Sequence, residues 1–526
     1  MSKIIYFSRI WPMQHLSAAS VRVLSIIDML QKLDYEVHFV SSQKLTNERK
    51  EMIEAVLPNK TYRQIDPNNF KAITKYLNGF ETPFLSIFDT FVTEEYYGHF
   101  MYSMHPETPR ILDTQDLHSL RVARLKKFEE IQKSSPGDFW SAEHMNTVLK
   151  EFPSALEDDY HARELASIYR SDITWISSEY EKMMLERLYG LERLLVMPIF
   201  YEGNQIDASK YLFQREYTPK IEGDFSEPRA FQRRSNFVWL GNFAHSPNLQ
   251  AVDYLISEIW PKISKKLESK KNLKKTPELH IYGANFPKEM KDKIRGIPRV
   301  KARGLMPSLE RLMRYRALLA PLFYGAGIKG KITSSWVNLL PVITTPVGSE
   351  GLYSSSYENL AELQDVDLDA KYYKLSEEDQ LKRQFEPFDQ SLIDFYDYPT
   401  HLTDKAKSDG LGLDEELKEV LGSKLEFGGS FLNYSADDFV DSAVEVYSEY
   451  ETWHRMVDVG LETLDNRFLL DKSQIVMSNN ILDVGMNLKE YRRRNHVQQL
   501  VWSETLRSME YLNKLIRIKN LKHQSD

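Results

Sequence analysis

The sequence predicts an α/β protein of two open parallel-sheet domains facing across a cleft, the second with an acidic insert. Three observations predict it. Short apolar runs alternate with helical stretches through residues 1–205; after a polar break the same alternation restarts; and the second half carries a Gly-rich, Lys-bearing turn between a strand and a helix. A chain of 526 residues is also too long for one hydrophobic core.

In chain order, Ile4 to Phe7 is a short apolar run and Trp11 to Ser20 a loop. A helix-period stretch and a β-branched run from Glu36 to Ser42 follow. Strand, loop, helix and strand at this spacing make a βαβ unit, the seed of a parallel sheet. Further strand-like runs lie at Pro83 to Asp89, Pro109 to Asp116, Asp172 to Ser178 and Leu194 to Phe200. Residues 206–233 are polar and aperiodic, which predicts an interdomain connection. The second domain, 234–487, restarts with NFVWLGNF, ELHIYGAN, RVKARGL, ALLAPLF and PVITTPVG, each run trailed by Gly, Asn or Pro. Two such lobes place the carboxyl ends of both sheets, and so the ligand, at their junction. Residues 353–429 break the alternation and are rich in Asp and Glu, which predicts an inserted subdomain. Residues 488–526 predict C-terminal helices, amphipathic and basic.

The totals exclude several classes. A net charge of −8 gives no support to a nucleic-acid binder. The absence of cysteine removes disulfides, thiolate metal sites and a cysteine nucleophile, and fits a reducing compartment. No apolar run reaches the ~18 residues that span a bilayer, and Arg9 interrupts the first run too early for a signal peptide. A cytoplasmic protein is the expectation. Thirteen histidines include no HExxH or comparable pair, so no metal site is expected. Asp365, Asp367 and Asp369 spell a DxD pattern, but within the acidic insert solvated charge is the favoured reading. The seven lysines between Lys262 and Lys275 read as a solvated face, with contact to an anionic membrane surface as the functional alternative.

The densest signal runs from Pro321 to Leu352. A strand leads into the turn Gly325, Ala326, Gly327; Lys329 and Lys331 follow, and a helix begins. Glycines let backbone N–H groups approach phosphate oxygens, the helix start adds partial positive charge, and lysines neutralise the rest. The string GAGIKG also satisfies a dinucleotide fingerprint, with Glu350 twenty residues beyond Gly330. That rival needs the motif at the first strand of its domain, whereas here at least three runs precede it. A glycine turn used only for packing is the remaining alternative.

At these residues the chain resembles the retaining glycosyltransferases of the GT-B fold, group 1 type. The second lobe carries GNFAHSPNLQAV (Gly241 to Val252), EIWP (Glu258 to Pro261), HIYG (His280 to Gly283) and the Pro321 to Leu352 block. The first lobe carries DTQDLHSLRVAR (Asp113 to Arg124) and SSEYE (Ser177 to Glu181). The resemblance implies two Rossmann-like domains and a UDP- or GDP-linked sugar donor, with no separate cofactor. It implies a glycan, lipid-linked or protein acceptor and, through lipid-linked acceptors, peripheral membrane contact. By its motifs the donor would lie on Gly241, Asn242, Gly325, Ala326, Gly327, Lys329, Lys331, Ser334, Ser335 and Glu350. His118, Asp116 and Lys329 would serve catalysis, with Arg121 shaping the sugar wall, and transfer would retain configuration without a metal.

Three positions depart from the family pattern. Ser334 replaces a carboxylate that grips the donor ribose. Leu339 replaces a helix-ending glycine, whose left-handed role is expected to pass to Asn338. The first-lobe donor loop reads LSAAS, from Leu16 to Ser20. These departures keep open a catalytically silent relative that serves as a binding or assembly partner.

Overall fold

The computed structural model describes residues 2–13, 18–135, 139–153, 159–191, 193–217, 229–270, 275–352, 430–433 and 435–506. The acidic insert with its DxD string, two residues of the LSAAS loop and the last twenty residues of the chain lie outside them.

The first lobe is a seven-stranded parallel sheet, ordered β3-β2-β1-β4-β5-β6-β7. Its strands are β1 (Ser2–Ser8), β2 (Tyr35–Ser41), β3 (Tyr62–Gln64), β4 (Leu85–Asp89), β5 (Arg110–Asp113), β6 (Ile173–Ile176) and β7 (Leu194–Val196). The second lobe is a six-stranded parallel sheet, ordered β10-β9-β8-β11-β12-β13. Its strands are β8 (Phe237–Asn242), β9 (Leu279–Ala284), β10 (Val300–Gly304), β11 (Ala317–Ala320), β12 (Val342–Thr344) and β13 (Ser430–Leu432). Both sheets are doubly wound, and in each the strand order reverses beside the first strand, between β1 and β4 and between β8 and β11. Ligands bind at such switch points because the crossovers diverge there and leave a crevice beyond the strand ends.

Period-two alternation explains the first-lobe core. Ile4, Tyr6, Val37, Phe39, Ile87 and Ile111 are buried on one face. Their neighbours Ile5, Phe7, Val40, Phe88 and Leu112 are buried on the other. Every strand-like run of the sequence is a strand. The two additional ones, β3 and β13, have three residues each, too few to show a period.

Two boundaries differ from expectation. Within 206–233 the described residues are helical, in helices Gly203–Tyr217 and Arg229–Arg233; residues 218–228 lie outside the described residues. Ile206, Phe213, Tyr217 and Phe231 bury into the second core, a stripe that the polar residues between them obscure. The second domain also ends before 487. The chain crosses back at Phe468–Leu470, and helix Leu470–Arg494 buries Met477, Ile481, Val484 and Leu488 against the first sheet. Arg492 fixes it there through the buried Asp172, Nε to Oδ1 at 2.8 Å. Both crossings run side by side, the Tyr201 N–H donating to Phe468 and the Leu470 N–H to Tyr201, at 2.7 and 2.8 Å.

The lysine run lies on helix Trp260–Glu268 and just beyond it. Lys262 pairs with Asp437 at 2.8 Å, Lys266 with Asp441, and Lys270 with Glu449 at 3.6 Å. Exposed pairs of this kind are worth about 0–1 kcal/mol each, but they engage three of the lysines that the membrane reading requires. Among the described residues no helix is long and apolar enough to cross a membrane.

Candidate active site

The two switch points face one another and enclose a cleft of about 470 Å³. From the first lobe Arg9, Asp89, Thr90, Asp116, His118 and Arg121 line it; from the second come Gly241, Asn242, His245, Asn248, Gly325, Ala326, Lys329, Lys331 and Ser334. Most of the sequence-predicted site residues therefore meet in one place. Ser335 does not reach it: fully buried, its hydroxyl donates to the Lys331 carbonyl at 2.7 Å. Glu350 lies behind the turn, ion-paired with the buried Arg124 at 2.7 Å.

On the first lobe, β5 ends at Asp113 and a left-handed residue, Gln115 at φ 64°, turns the chain toward helix His118–Ser134. Gln115 is held by donating to Asp89 at 2.7 Å. The buried Glu164 takes the first helix amides, His118 and Ser119, each at 2.9 Å. A carboxylate there suits the positive helix start and fixes the backbone under His118. His118 Nε2 lies 3.3 Å from Asp116 Oδ1, and Arg121 pairs with the other carboxylate oxygen. Burial would raise the Asp116 carboxyl, but Arg121 and His118 outweigh it and hold it below its ordinary range. Burial pushes the His118 ring down to about 4, against the pull of Asp116. A neutral ring beside an ionised carboxylate donates from Nε2, leaving Nδ1 with a lone pair.

On the second lobe, β11 leads into Gly325, Ala326 and Gly327, and helix Gly330–Val337 starts directly after Lys329. Lys329 Nζ donates to the Gly327 carbonyl at 2.7 Å, which folds the turn on itself. Lys331 Nζ donates to Asn248 at 2.6 Å and sits 4.6 Å above the Trp239 ring. Burial, then Lys329, pushes the Lys331 ammonium down to about 7. Burial also lowers Lys329, against the opposing pull of Glu350. Two desolvated lysines beside a glycine turn and a helix start suit a compact polyanion, which would favour their charged forms. Ser334 lines the same wall, its hydroxyl 3.2 Å from that of Tyr201.

Leu339, not Asn338, takes the left-handed conformation that ends this helix, with φ 54° against −97°. Its side chain is fully buried, so packing holds an L-residue where the family pattern has glycine.

Sequence reasoning missed several cleft residues. Asn248, within the SPN string, orients Lys331 and also donates to the Asn242 carbonyl at 2.8 Å. Asp89 closes β4 with Ser8 and Gln115 as its donors, at 2.5 and 2.7 Å, and burial pushes its carboxyl up to about 6. Its signal was an acidic residue at the end of a buried strand. Arg9 and His245 carried none. Among the described residues no three His, Asp or Glu side chains group as metal ligands.

Comparison with known proteins agrees with this architecture. Residues 234–366 match the family model of glycosyl transferases group 1. No curated protein sequence matches the chain. In fold the chain is similar to Anabaena HepE in complex with UDP-glucose (TM-score 0.51, 10% identity, 92% of this chain and 100% of that one). It is similar also to a mutant of S. aureus TarM in complex with fondaparinux, α-GlcNAc-glycerol and UDP (0.52, 8%, 91% and 100%). Sucrose-phosphate synthase from Thermosynechococcus elongatus shares the fold to the same degree (0.51, 10%, 91% and 98%). The group 1 model thus falls on the lobe that holds the Gly-Lys turn, and the two lobes together share the fold of these structures.

Proposed function

We propose that this protein transfers a sugar from a nucleoside diphosphate carrier to an acceptor hydroxyl, with retention of configuration and without a metal ion. One observation carries the reading: Gly325 and Ala326 with Lys329 and Lys331 face the His118–Asp116 pair across a single cleft. The lysines and the helix start offset charge on the departing diphosphate, the largest charge change in the reaction. Neutral His118 and ionised Asp116 form the sugar-side wall, where a polar, partly desolvated pair binds hydroxyls. Retention follows when the acceptor attacks from the face the diphosphate leaves, its proton passing to a diphosphate oxygen. His118, Asp116 and Lys329 are the residues assigned to catalysis. Gly241, Asn242, Gly325, Ala326, Lys331 and Ser334 are assigned to the donor; Gly327, expected to join them, does not line the cleft and gives its amide to Glu181 at 2.9 Å.

The HepE complex holds UDP-glucose and the TarM complex holds UDP with a glycosylated glycerol. UDP-sugars with glycan acceptors are therefore the first arm of the test. GDP-sugars and lipid-linked or protein acceptors form the second. The proposed setting is the cytoplasm, with membrane contact only through a lipid-linked acceptor. The experiment is a screen of nucleotide sugars for hydrolysis and transfer, repeated with a chelator, with the product anomer read by NMR. Strict dependence on manganese or magnesium would remove the metal-free reading.

Ser334, where the pattern the chain resembles has a carboxylate, favours a second reading, a silent relative that binds nucleotide or a partner without transfer. Nucleotide binding with no turnover of any donor would establish it.

A further inference from the structure

Helix Glu179–Tyr189 starts with Ser178 as its cap, the hydroxyl accepting from the Glu181 amide at 3.2 Å. A glutamate at this position ordinarily turns back to the cap residue's own N–H. Glu181 does not. Its Oε1 accepts from the Leu117 amide at 3.0 Å and from the Gly327 amide at 2.9 Å, while Oε2 accepts from the Ser177 hydroxyl at 3.1 Å. Leu117 immediately precedes His118 on the first lobe, and Gly327 closes the phosphate turn on the second. One fully buried carboxylate oxygen thus holds a backbone amide from each half of the cleft.

The other side of the turn is held in the same direction. Arg124, from the helix that begins with His118, donates to the Gly325 carbonyl at 2.9 Å and pairs with Glu350. Gly351, at φ 78°, packs against Ser178, where a Cβ would fall 2.7 Å from the serine Cβ. The lobes touch through backbone where glycines permit it, and Glu181 lies at the centre of that contact.

We propose that Glu181 is a positioning residue that clasps the lobes in register, setting the distance between the phosphate turn and the His118–Asp116 wall. Opening the lobes breaks its bond to Gly327 and leaves its bonds to Leu117 and Ser177 intact. The clasp is therefore made only in the closed form, and it acts on turnover rather than on first capture of the nucleotide. The inference rests on the transfer reading for its kinetic consequence and on geometry alone for its structural one.

The cysteine-free chain permits a direct test. Spin labels at Lys71→Cys and Lys301→Cys, both exposed and one on each lobe, report the interlobe distance with UDP bound. The parent is expected to give one narrow distance, Glu181→Ala a broader and longer distribution, and Glu181→Gln, which keeps an acceptor oxygen, a return toward the parent. In turnover, Glu181→Ala is expected to lower kcat by about tenfold or more while the Kd for UDP changes by less than about threefold. Ser177→Ala, a smaller change, should move both readouts in the same direction and serves if Glu181→Ala does not fold. An unchanged distance and kcat in Glu181→Ala, or parallel loss of kcat and UDP affinity, overturns the clasp. A longer distance in a protein that turns over no donor supports the clasp and removes the transferase reading instead.

Discussion

Gly327 lies directly against Asp116 across the lobe boundary, where a Cβ on the glycine would fall 2.7 Å from the aspartate Cβ. Its φ is 64°, so an L-residue would be strained there even in open space. The turn and the first-lobe wall of the cleft thus meet at a position that tolerates no side chain. Gly327→Ala is expected to cost about 1–2 kcal/mol in backbone conformation alone. It should also wedge the lobes apart and lower kcat by about tenfold or more. Melting temperature and turnover measured together check this; a small fall in melting temperature with unaltered kcat would show that the close contact is not needed for the reaction.

His118 lines the cleft from the first lobe, and Lys329 and Lys331, the residues proposed to hold the diphosphate, line it from the second. His118→Ala should lower turnover by about a hundredfold, the lower range for a group acting in proton transfer or sugar polarisation, and leave UDP affinity within about threefold. Because burial holds the ring near pH 4, it is neutral throughout the physiological range. No inflection from this residue is expected in kcat between pH 6 and 8. A profile that rises through 6.5 and flattens in His118→Ala would contradict that assignment.

Lys331 sits lower than an ordinary lysine, at about 7, so at pH 8 most of the free protein carries it neutral. A bound diphosphate favours the ammonium form. Binding at pH 8 should therefore take up a proton, and affinity should rise as pH falls from 8 toward 6. Calorimetry in two buffers of different ionisation enthalpy measures the uptake, which should vanish in Lys331→Met. Lys329→Ala should weaken binding by about tenfold or more through loss of one charge-assisted contact.

Ser334 offers the donor a single short hydroxyl, and its partner Tyr201 has a second one in Thr333, at 2.9 Å. Ser334→Glu therefore strands no buried group and places a carboxylate on the cleft wall. Donor binding should tighten by about 1.5–3 kcal/mol, the value of a hydrogen bond to a charged group. The gain should appear mainly in KM, since ribose contacts are alike in ground and transition states. Affinity for the same nucleotide sugar in both forms decides it; unchanged or weaker binding would mean that the ribose lies elsewhere.

Much of this was legible before any coordinates. The strand runs, the restart after Arg233, the Gly325–Gly327 turn with its lysines and the DLHSLRVAR string depend on local rules. A buried strand needs a continuous apolar run, and a backbone that approaches phosphate needs glycine. What the local rules could not supply was which surfaces meet. Nothing in YLFQREY shows that Phe213 and Tyr217 face the second core, because their burial depends on Trp453 and its neighbours far along the chain. Helix Leu470–Arg494 reads equally well on either lobe, and it lies on the first, where Met477, Ile481, Val484 and Leu488 bury against the sheet and Arg492 pairs with the buried Asp172.

The sequence by itself determined two doubly wound lobes and the Gly325–Gly327 turn between a strand and a helix, since propensity and hydrophobic period act over a few residues. Only the tertiary structure decided that Leu339 rather than Asn338 goes left-handed, because a fully buried side chain offsets the strain of its backbone. It alone also decided that Glu181 abandons its cap to hold Leu117 and Gly327. A buried carboxylate goes to whichever amides the closed lobes leave without another acceptor, and the identity of those amides is fixed by the meeting of the lobes.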